Sequence, residues 1–176
     1  PVLRDLTREV GMTSRVATME EGFAMVIGRV DAPGAIRFDA ALGQREMPHS
    51  SGVGKVLLAA MPRAGALALV RRVGQTARTR RTLKTLKALT ADLDRIALRR
   101  YAVDDEEDHE GIICVAAAIF GHGGAVAGAI SVTTLKQLLP ADAIPPIADT
   151  LVRGADRISH ALGGPSAVEA WSAKLP

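Results

Sequence analysis

Residues 101–134, YAVDDEEDHEGIICVAAAIFGHGGAVAGAISVTT, carry the strongest structural pattern in this 176-residue chain. Six carboxylates lie within residues 104–110, here called the acidic hook, and the apolar run that follows holds the only cysteine, Cys114. A glycine-rich turn then predicts a β-hairpin between strands 112–120 and 125–133. If these strands pair, a thiol, hydroxyls and a carboxylate meet at one end of an apolar sheet. That arrangement is typical of a pocket for a small polar ligand.

Outside this hairpin, hydrophobic periodicity and capping residues predict an α+β domain in which helices cover an antiparallel sheet. Two serines, Ser50 and Ser51, come before an apolar helical pattern. They predict a helix that is capped by one of them and runs to about residue 61. A helix capped by Thr90 is expected to follow. The remaining predicted elements are helices 2–12, 62–73 and 146–162, strands 14–20, 23–31 and 35–40, and a strand that begins at residues 101–103.

Composition indicates one domain over residues 1–176, with 48% hydrophobic residues and a formal net charge of +3. No apolar stretch approaches the roughly 20 residues that cross a bilayer, so no membrane association is expected. A single cysteine cannot form an intrachain disulfide and is typical of a reducing cytoplasm. Residues 71–87, here called the basic run, contain seven basic residues and no acidic one. They could contact DNA phosphates or form a solvated surface.

Three motifs together are similar to the effector-binding domain of the IclR family of bacterial transcriptional regulators. They are HSSGVGKVLLAAMP at 49–62, the segment 99–134, and DRISHALGG at 156–164. The resemblance implies a GAF-like curved antiparallel sheet flanked by helices, and a homodimer or homotetramer. It also implies that a winged helix-turn-helix, absent from this chain, precedes the domain and binds DNA. A small-molecule effector, without cofactor or metal, is then the expected ligand.

The resemblance also implies which residues bind the effector. A helix N-terminus offers free backbone N–H groups that suit a small carboxylate, and buried hydroxyls need hydrogen-bond partners. The candidate residues lie at such a helix end, at the start of the acidic hook and on the hairpin: Ser51, Gly52, Val53, Asp104, Cys114, Ser131 and Thr133. The whole interpretation depends on one expectation, that this helix end and the Cys114 strand face each other across a small cavity.

Two other functions remain open from the residues alone. Cys114 could be a nucleophile if His49 or His109 lowered its pKa, and several zinc-type ligands lie in the same regions, although their spacing fits no compact zinc motif. Such a thiol- or metal-dependent enzyme of the same fold is the main alternative. The other is an assembly module that binds no ligand. The acidic hook itself could be a solvated loop or a pocket wall, with Asp104 the carboxylate best placed to face a ligand.

Overall fold

A six-stranded antiparallel sheet forms the centre of the protein, in the strand order β3-β2-β1-β6-β5-β4. The computed structural model describes residues 1–34, 38 and 41–174. The strands are β1 Thr13–Glu20, β2 Phe23–Val30, β3 Arg45–Glu46, β4 Tyr101–Asp105, β5 Ile112–Phe120 and β6 Val126–Leu135. The helices are α1 Val2–Val10, α2 Gly52–Ala60, α3 Arg63–Val73, α4 Leu86–Arg99, α5 Ile144–Ala161 and α6 Ala167–Ser172.

The predicted hairpin is present as β5 and β6, in a register that pairs Cys114 with Thr133. Strand β6 also pairs with β1, which places Arg15 opposite Ser131. This second pairing joins segments more than 100 residues apart into one open sheet. Consequently the end of β6 that carries Thr133 lies between two strands, one from each half of the chain.

Helices cover both faces of the sheet, which explains why β5 is apolar throughout rather than alternating. Ala116 and Ala118 belong to a core formed with α2, α4 and α6, whereas Val115 and Ile119 pack in a second core with α1 and α5. Small alanines on one face let α2 approach β5 closely. None of the helices in the described ranges combines the length and apolarity that crossing a bilayer requires.

Two predicted elements need comment. The helix expected to begin at Thr90 begins instead at Leu86, with Thr85 as its cap, because the Thr85 side chain accepts a hydrogen bond from the Ala88 N–H. Thr90 lies inside the helix, where its hydroxyl donates to the carbonyl of Leu86. The cap prediction was therefore wrong by more than one turn. Most of the predicted strand 35–40 lies outside the described residues.

Candidate ligand-binding site

The N-terminus of α2 faces the thiol of β5, as the sequence predicts. Ser51 is the N-cap, and its side-chain oxygen accepts a hydrogen bond from the Gly54 N–H at 3.1 Å. Gly52, the first residue of α2, approaches β5 so closely that an added Cβ would lie 3.1 Å from the Cys114 Sγ. Glycine at this position therefore permits the contact between helix end and sheet.

A cavity of about 150 Å³ opens beside this contact. It is bounded by the start of α2, by one end of the sheet and by the acidic hook. Five of the seven predicted site residues line it: Ser51, Gly52, Asp104, Cys114 and Thr133. The lining also includes seven residues that were not predicted: Arg15, Phe38, Gln44, Glu46, Asp108, His109 and Ile112. Eight of the twelve lining residues have polar side chains, so the cavity suits a ligand with several hydrogen-bonding groups.

The other two predicted site residues are buried beside the cavity rather than on its wall. The side chain of Val53 is part of the apolar core. The Val53 N–H nevertheless belongs to the first turn of α2. It comes before Lys55, whose N–H donates the first backbone hydrogen bond of the helix, to the Ser51 carbonyl. Ser131 is fully buried and precedes Thr133 by two residues on β6. Within the described residues its hydroxyl has no hydrogen-bond partner. Roles in ligand binding remain predictions for all seven residues.

A buried ion pair that the sequence interpretation missed forms one wall of the cavity. Arg15 of β1 donates from Nη1 to the Glu46 Oε1 at 2.6 Å, and from Nη2 to the Thr133 Oγ1 at 2.5 Å. Burial raises the pKa of the Glu46 carboxyl, whereas the Arg15 charge acts in the opposite direction. The sequence did contain a signal for a buried charge here. Alternation along β1 places Arg15 on the same buried face as Thr13 and Ala17.

Asp104 is the second-last residue of β4, lies beside the cavity and organises the acidic hook. Its Oδ1 accepts hydrogen bonds from the backbone N–H groups of Glu107, at 2.7 Å, and of Asp108, at 3.2 Å. Burial raises the pKa of the Asp104 carboxyl to about 8; the bond from Glu107 lowers it, and the nearby Glu107 and Asp108 charges raise it. At neutral pH the group is therefore largely protonated, and it can donate a hydrogen bond to a ligand.

A fully buried lysine ties the acidic hook to the helices. Lys55 of α2 donates from Nζ to the Asp92 Oδ2 at 2.9 Å, to the Glu107 Oε1 at 2.6 Å and to the carbonyl of Val103 at 2.8 Å. Such a charge is tolerated inside a protein only when it is paired and hydrogen-bonded. The hook is thus a packed wall of the cavity and not simply a solvated loop.

The basic run also contacts the acidic hook. Arg81 forms an ion pair with Asp105, and Arg78 lies 3.3 Å from Asp108. Thr82, which follows Arg81, donates from its hydroxyl to the carbonyl of Glu107 at 2.7 Å. Neither sequence interpretation of the basic run anticipated this arrangement, because two oppositely charged segments separated in sequence neutralise each other only after the chain has folded.

The geometry gives no support to a thiol enzyme. Burial raises the pKa of the Cys114 thiol to about 11, so the nucleophilic thiolate is scarce at neutral pH. The Thr133 hydroxyl donates to the Cys114 Sγ at 3.4 Å. The His49 Nε2 lies 3.0 Å from the Thr76 carbonyl, and the His109 Nδ1 lies 2.9 Å from Asp108. Over residues 1–34, 38 and 41–174, no three metal-type side chains cluster as ligands.

Comparison with known proteins places the chain among bacterial regulators. It matches the family model "Bacterial transcriptional regulator IclR C-terminal" over residues 1–160. It is 31% identical over 166 residues to the transcriptional repressor IclR of Escherichia coli strain K12, covering 93% of this chain and 61% of that protein. It is 32% identical over 163 residues to the HTH-type transcriptional repressor AllR of the same strain, covering 93% and 60%. The chain thus spans about 60% of the length of these curated relatives.

Solved structures share the fold. The Thermotoga maritima IclR crystal structure superposes with a TM-score of 0.88 at 28% identity, covering 92% of this chain and 66% of that one. The C-terminal domain of the Escherichia coli transcriptional regulator KdgR gives 0.82 at 26% identity, covering 92% and 94%. The expected curved antiparallel sheet flanked by helices is therefore confirmed.

Proposed function

The chain belongs to the IclR family of bacterial transcriptional regulators, as their C-terminal, effector-binding domain, and we propose that it senses a small organic acid or a related metabolite. The curated relatives are named as repressors, which confirms the expectation of a regulatory chain rather than an enzyme. The observation that supports the finer proposal is the polar cavity between the end of α2 and Cys114 of β5. A small metabolite with an acid group and a second polar group matches that lining.

Each predicted residue has a distinct part in this proposal. The free backbone N–H groups at Gly52 and Val53 would bind an acid or carbonyl oxygen. Protonated Asp104 would donate to a second oxygen of the effector. The hydroxyl of Thr133 and the weak donor Cys114 would contact the atoms between them, and Ser131 would complete the polar wall behind Thr133.

The signal would leave the cavity through the wall that the acidic hook forms. Asp104, Asp108 and His109 line the cavity and belong to the acidic hook. The same hook contacts α2, α4 and the basic run, so an effector that favours one position of the hook shifts the population of the whole arrangement. We propose that this shift changes DNA binding by a winged helix-turn-helix beyond this chain, in a cytoplasmic homodimer or homotetramer.

Isothermal titration calorimetry tests the sensing function directly. The ligands are small mono- and dicarboxylates and hydroxyaromatic acids. At least one should bind the chain with a one-site isotherm, and the same compound should alter operator binding by the full-length protein. Gly52→Val, whose side chain would project toward Cys114, should abolish binding while the far-ultraviolet circular dichroism stays unchanged. Failure of every compound to bind the folded chain would overturn the proposal.

A further inference from the structure

We infer that Arg15 anchors the acid group of the effector and that Glu46 sets the selectivity of the cavity by competing for the same guanidinium. The inference rests on the proposed function, because it assigns residues to that ligand. It differs from the sequence-based expectation in one respect: the acid group is held by a side chain of β1 and not by the end of α2.

The guanidinium of Arg15 has more donors than partners. It carries five N–H groups in a fixed fork. Its side chain is only 10% exposed, yet its hydrogen-bond partners in the described chain are Glu46 and Thr133 alone, and Nε has none. A buried donor without a partner is costly, and a ligand in the adjoining cavity can supply the missing acceptors.

The contact with Glu46 leaves room for a second carboxylate. Only Nη1 of Arg15 contacts Glu46, through a single oxygen at 2.6 Å. Guanidinium groups bind carboxylates most strongly through two parallel hydrogen bonds, and Arg15 makes no such bidentate pair with Glu46. An effector carboxylate that makes two parallel hydrogen bonds to Arg15 would bind it more strongly than Glu46 does. Glu46 in turn weakens the binding of anions that contact Arg15 poorly, because they must share a guanidinium that Glu46 already partly neutralises.

The charges around the cavity direct an anion to this one position. Within the described lining, Arg15 is the one arginine or lysine. The acidic lining residues are Glu46, Asp104 and Asp108, and Asp108 also faces His109 at 2.9 Å. An acid group placed near the hook would meet other carboxyl groups, whereas beside Arg15 it meets a positive charge.

A chain of short contacts connects Arg15 to the helix end. The Thr133 Oγ1 lies 2.5 Å from Arg15 and 3.4 Å from the Cys114 Sγ. That sulfur lies 3.1 Å from where a Cβ of Gly52 would stand. One hydroxyl and one thiol therefore separate the guanidinium from α2. A compact ligand with an acid group at Arg15 can reach the helix end with a second oxygen, which favours short hydroxy or oxo acids.

Nuclear magnetic resonance with acetate, and with acetamide as its neutral isostere, tests the assignment. The Nε–H resonance of Arg15, identified by its loss in Arg15→Gln, should shift saturably with acetate and not with acetamide. Arg15→Gln should weaken acetate binding about tenfold or more, and Glu46→Gln should tighten it by about the same factor, the equivalent of one charge-assisted hydrogen bond. Arg45→Gln is the matched control, since Arg45 precedes Glu46 but pairs with the exposed Glu21; it should leave acetate binding unchanged.

Each result separates this inference from the sensing function. Equal responses to acetate and acetamide, absence of acetate binding, or acetate shifts at α2 with an unmoved Arg15 resonance would overturn the role of Arg15 and leave the sensor intact. Acetate bound at Arg15, with no compound of the calorimetric panel altering operator binding by the full-length protein, would overturn the sensing function instead. Should Arg15→Gln not fold, the wild-type Nε–H resonance, assigned instead by triple-resonance spectra, and Glu46→Gln still decide the question.

Discussion

At the scale of single residues, buried charge governs both stability and the shape of the site. Lys55 and Asp104 both contact Glu107: Lys55 donates to its side-chain carboxylate, and Asp104 accepts from its backbone N–H. Lys55 carries its charge in the core, whereas Asp104 avoids carrying one by keeping its proton. The two residues therefore respond differently to substitution and to pH.

Replacing Lys55 with methionine should destabilise the protein by about 3–5 kcal/mol, because it leaves the buried carboxylates of Asp92 and Glu107 without their common cation. Urea unfolding followed by circular dichroism measures the change. Arg63→Met is the control, since the Arg63–Asp94 pair is largely exposed and its loss should cost less than about 1 kcal/mol. Equal effects of the two substitutions would contradict a stabilising role for the buried cluster.

Asp104 should make the protein less stable as the pH rises from about 4 to 8. Its pKa is 3.8 in the unfolded chain and about 8 in the folded protein. Between these values the unfolded state loses a proton that the folded state keeps, so the free energy of unfolding falls by up to about 1.4 kcal/mol per pH unit. Above pH 8 this contribution becomes constant.

Asp104→Asn isolates that contribution, because an amide oxygen can accept the same two backbone hydrogen bonds. The difference between the wild-type and variant unfolding free energies, measured by urea titration from pH 5 to 8, should move steadily in favour of the variant. Parallel curves over this range would show that Asp104 ionises normally in the folded protein.

At the scale of elements, the approach of α2 to its preceding loop depends on a glycine. A Cβ added at Gly54 would lie 2.6 Å from the Cα of Pro48. Gly54→Ala should therefore destabilise the protein by about 1–3 kcal/mol through overpacking. Gly65→Ala in α3 is the matched control: no atom lies within 4 Å of its added Cβ, and the change should stabilise by up to about 1 kcal/mol. Thermal unfolding of both variants checks the opposite signs.

The acidic hook is a second element whose order can be measured. Thr82 accepts hydrogen bonds from the N–H groups of Arg78 and Thr79 and donates to the carbonyl of Glu107. Thr82→Val removes these bonds at nearly constant volume and should cost about 1–3 kcal/mol. Hydrogen exchange of the Glu107 and Asp108 amides should accelerate in this variant. It should stay unchanged in Thr90→Val, which affects only a bond within α4.

At the scale of the whole molecule, internal pairing of opposite charges reduces the attraction of the basic run for nucleic acid. Arg78 and Arg81 contact the acidic hook, and the formal net charge is only +3. We expect this chain alone to bind a DNA duplex with a Kd weaker than about 10⁻⁴ M at physiological salt, beyond the usual non-specific range. Fluorescence anisotropy of a labelled duplex measures it, and micromolar binding would show that the basic run is available to phosphates.

The sequence by itself determined the hairpin and a helix cap at Ser50 or Ser51. These features depend on local signals: alternation along strands, glycine turns, and a hydroxyl at the start of an apolar helix. The resemblance carried by the three motifs then supplied the family and the candidate site residues, of which Ser51, Gly52, Asp104, Cys114 and Thr133 line the cavity.

Only the tertiary structure decided which charges meet. Arg15 reaches Glu46 because β1 pairs with β2 and β2 with β3, and it reaches Thr133 because β1 also pairs with β6. Lys55 likewise meets Glu107 across 52 residues of sequence. Local patterns report which face of an element is buried, but the partner of a buried charge is chosen by long-range strand pairing and helix packing, so a single sequence contains no local signal for it.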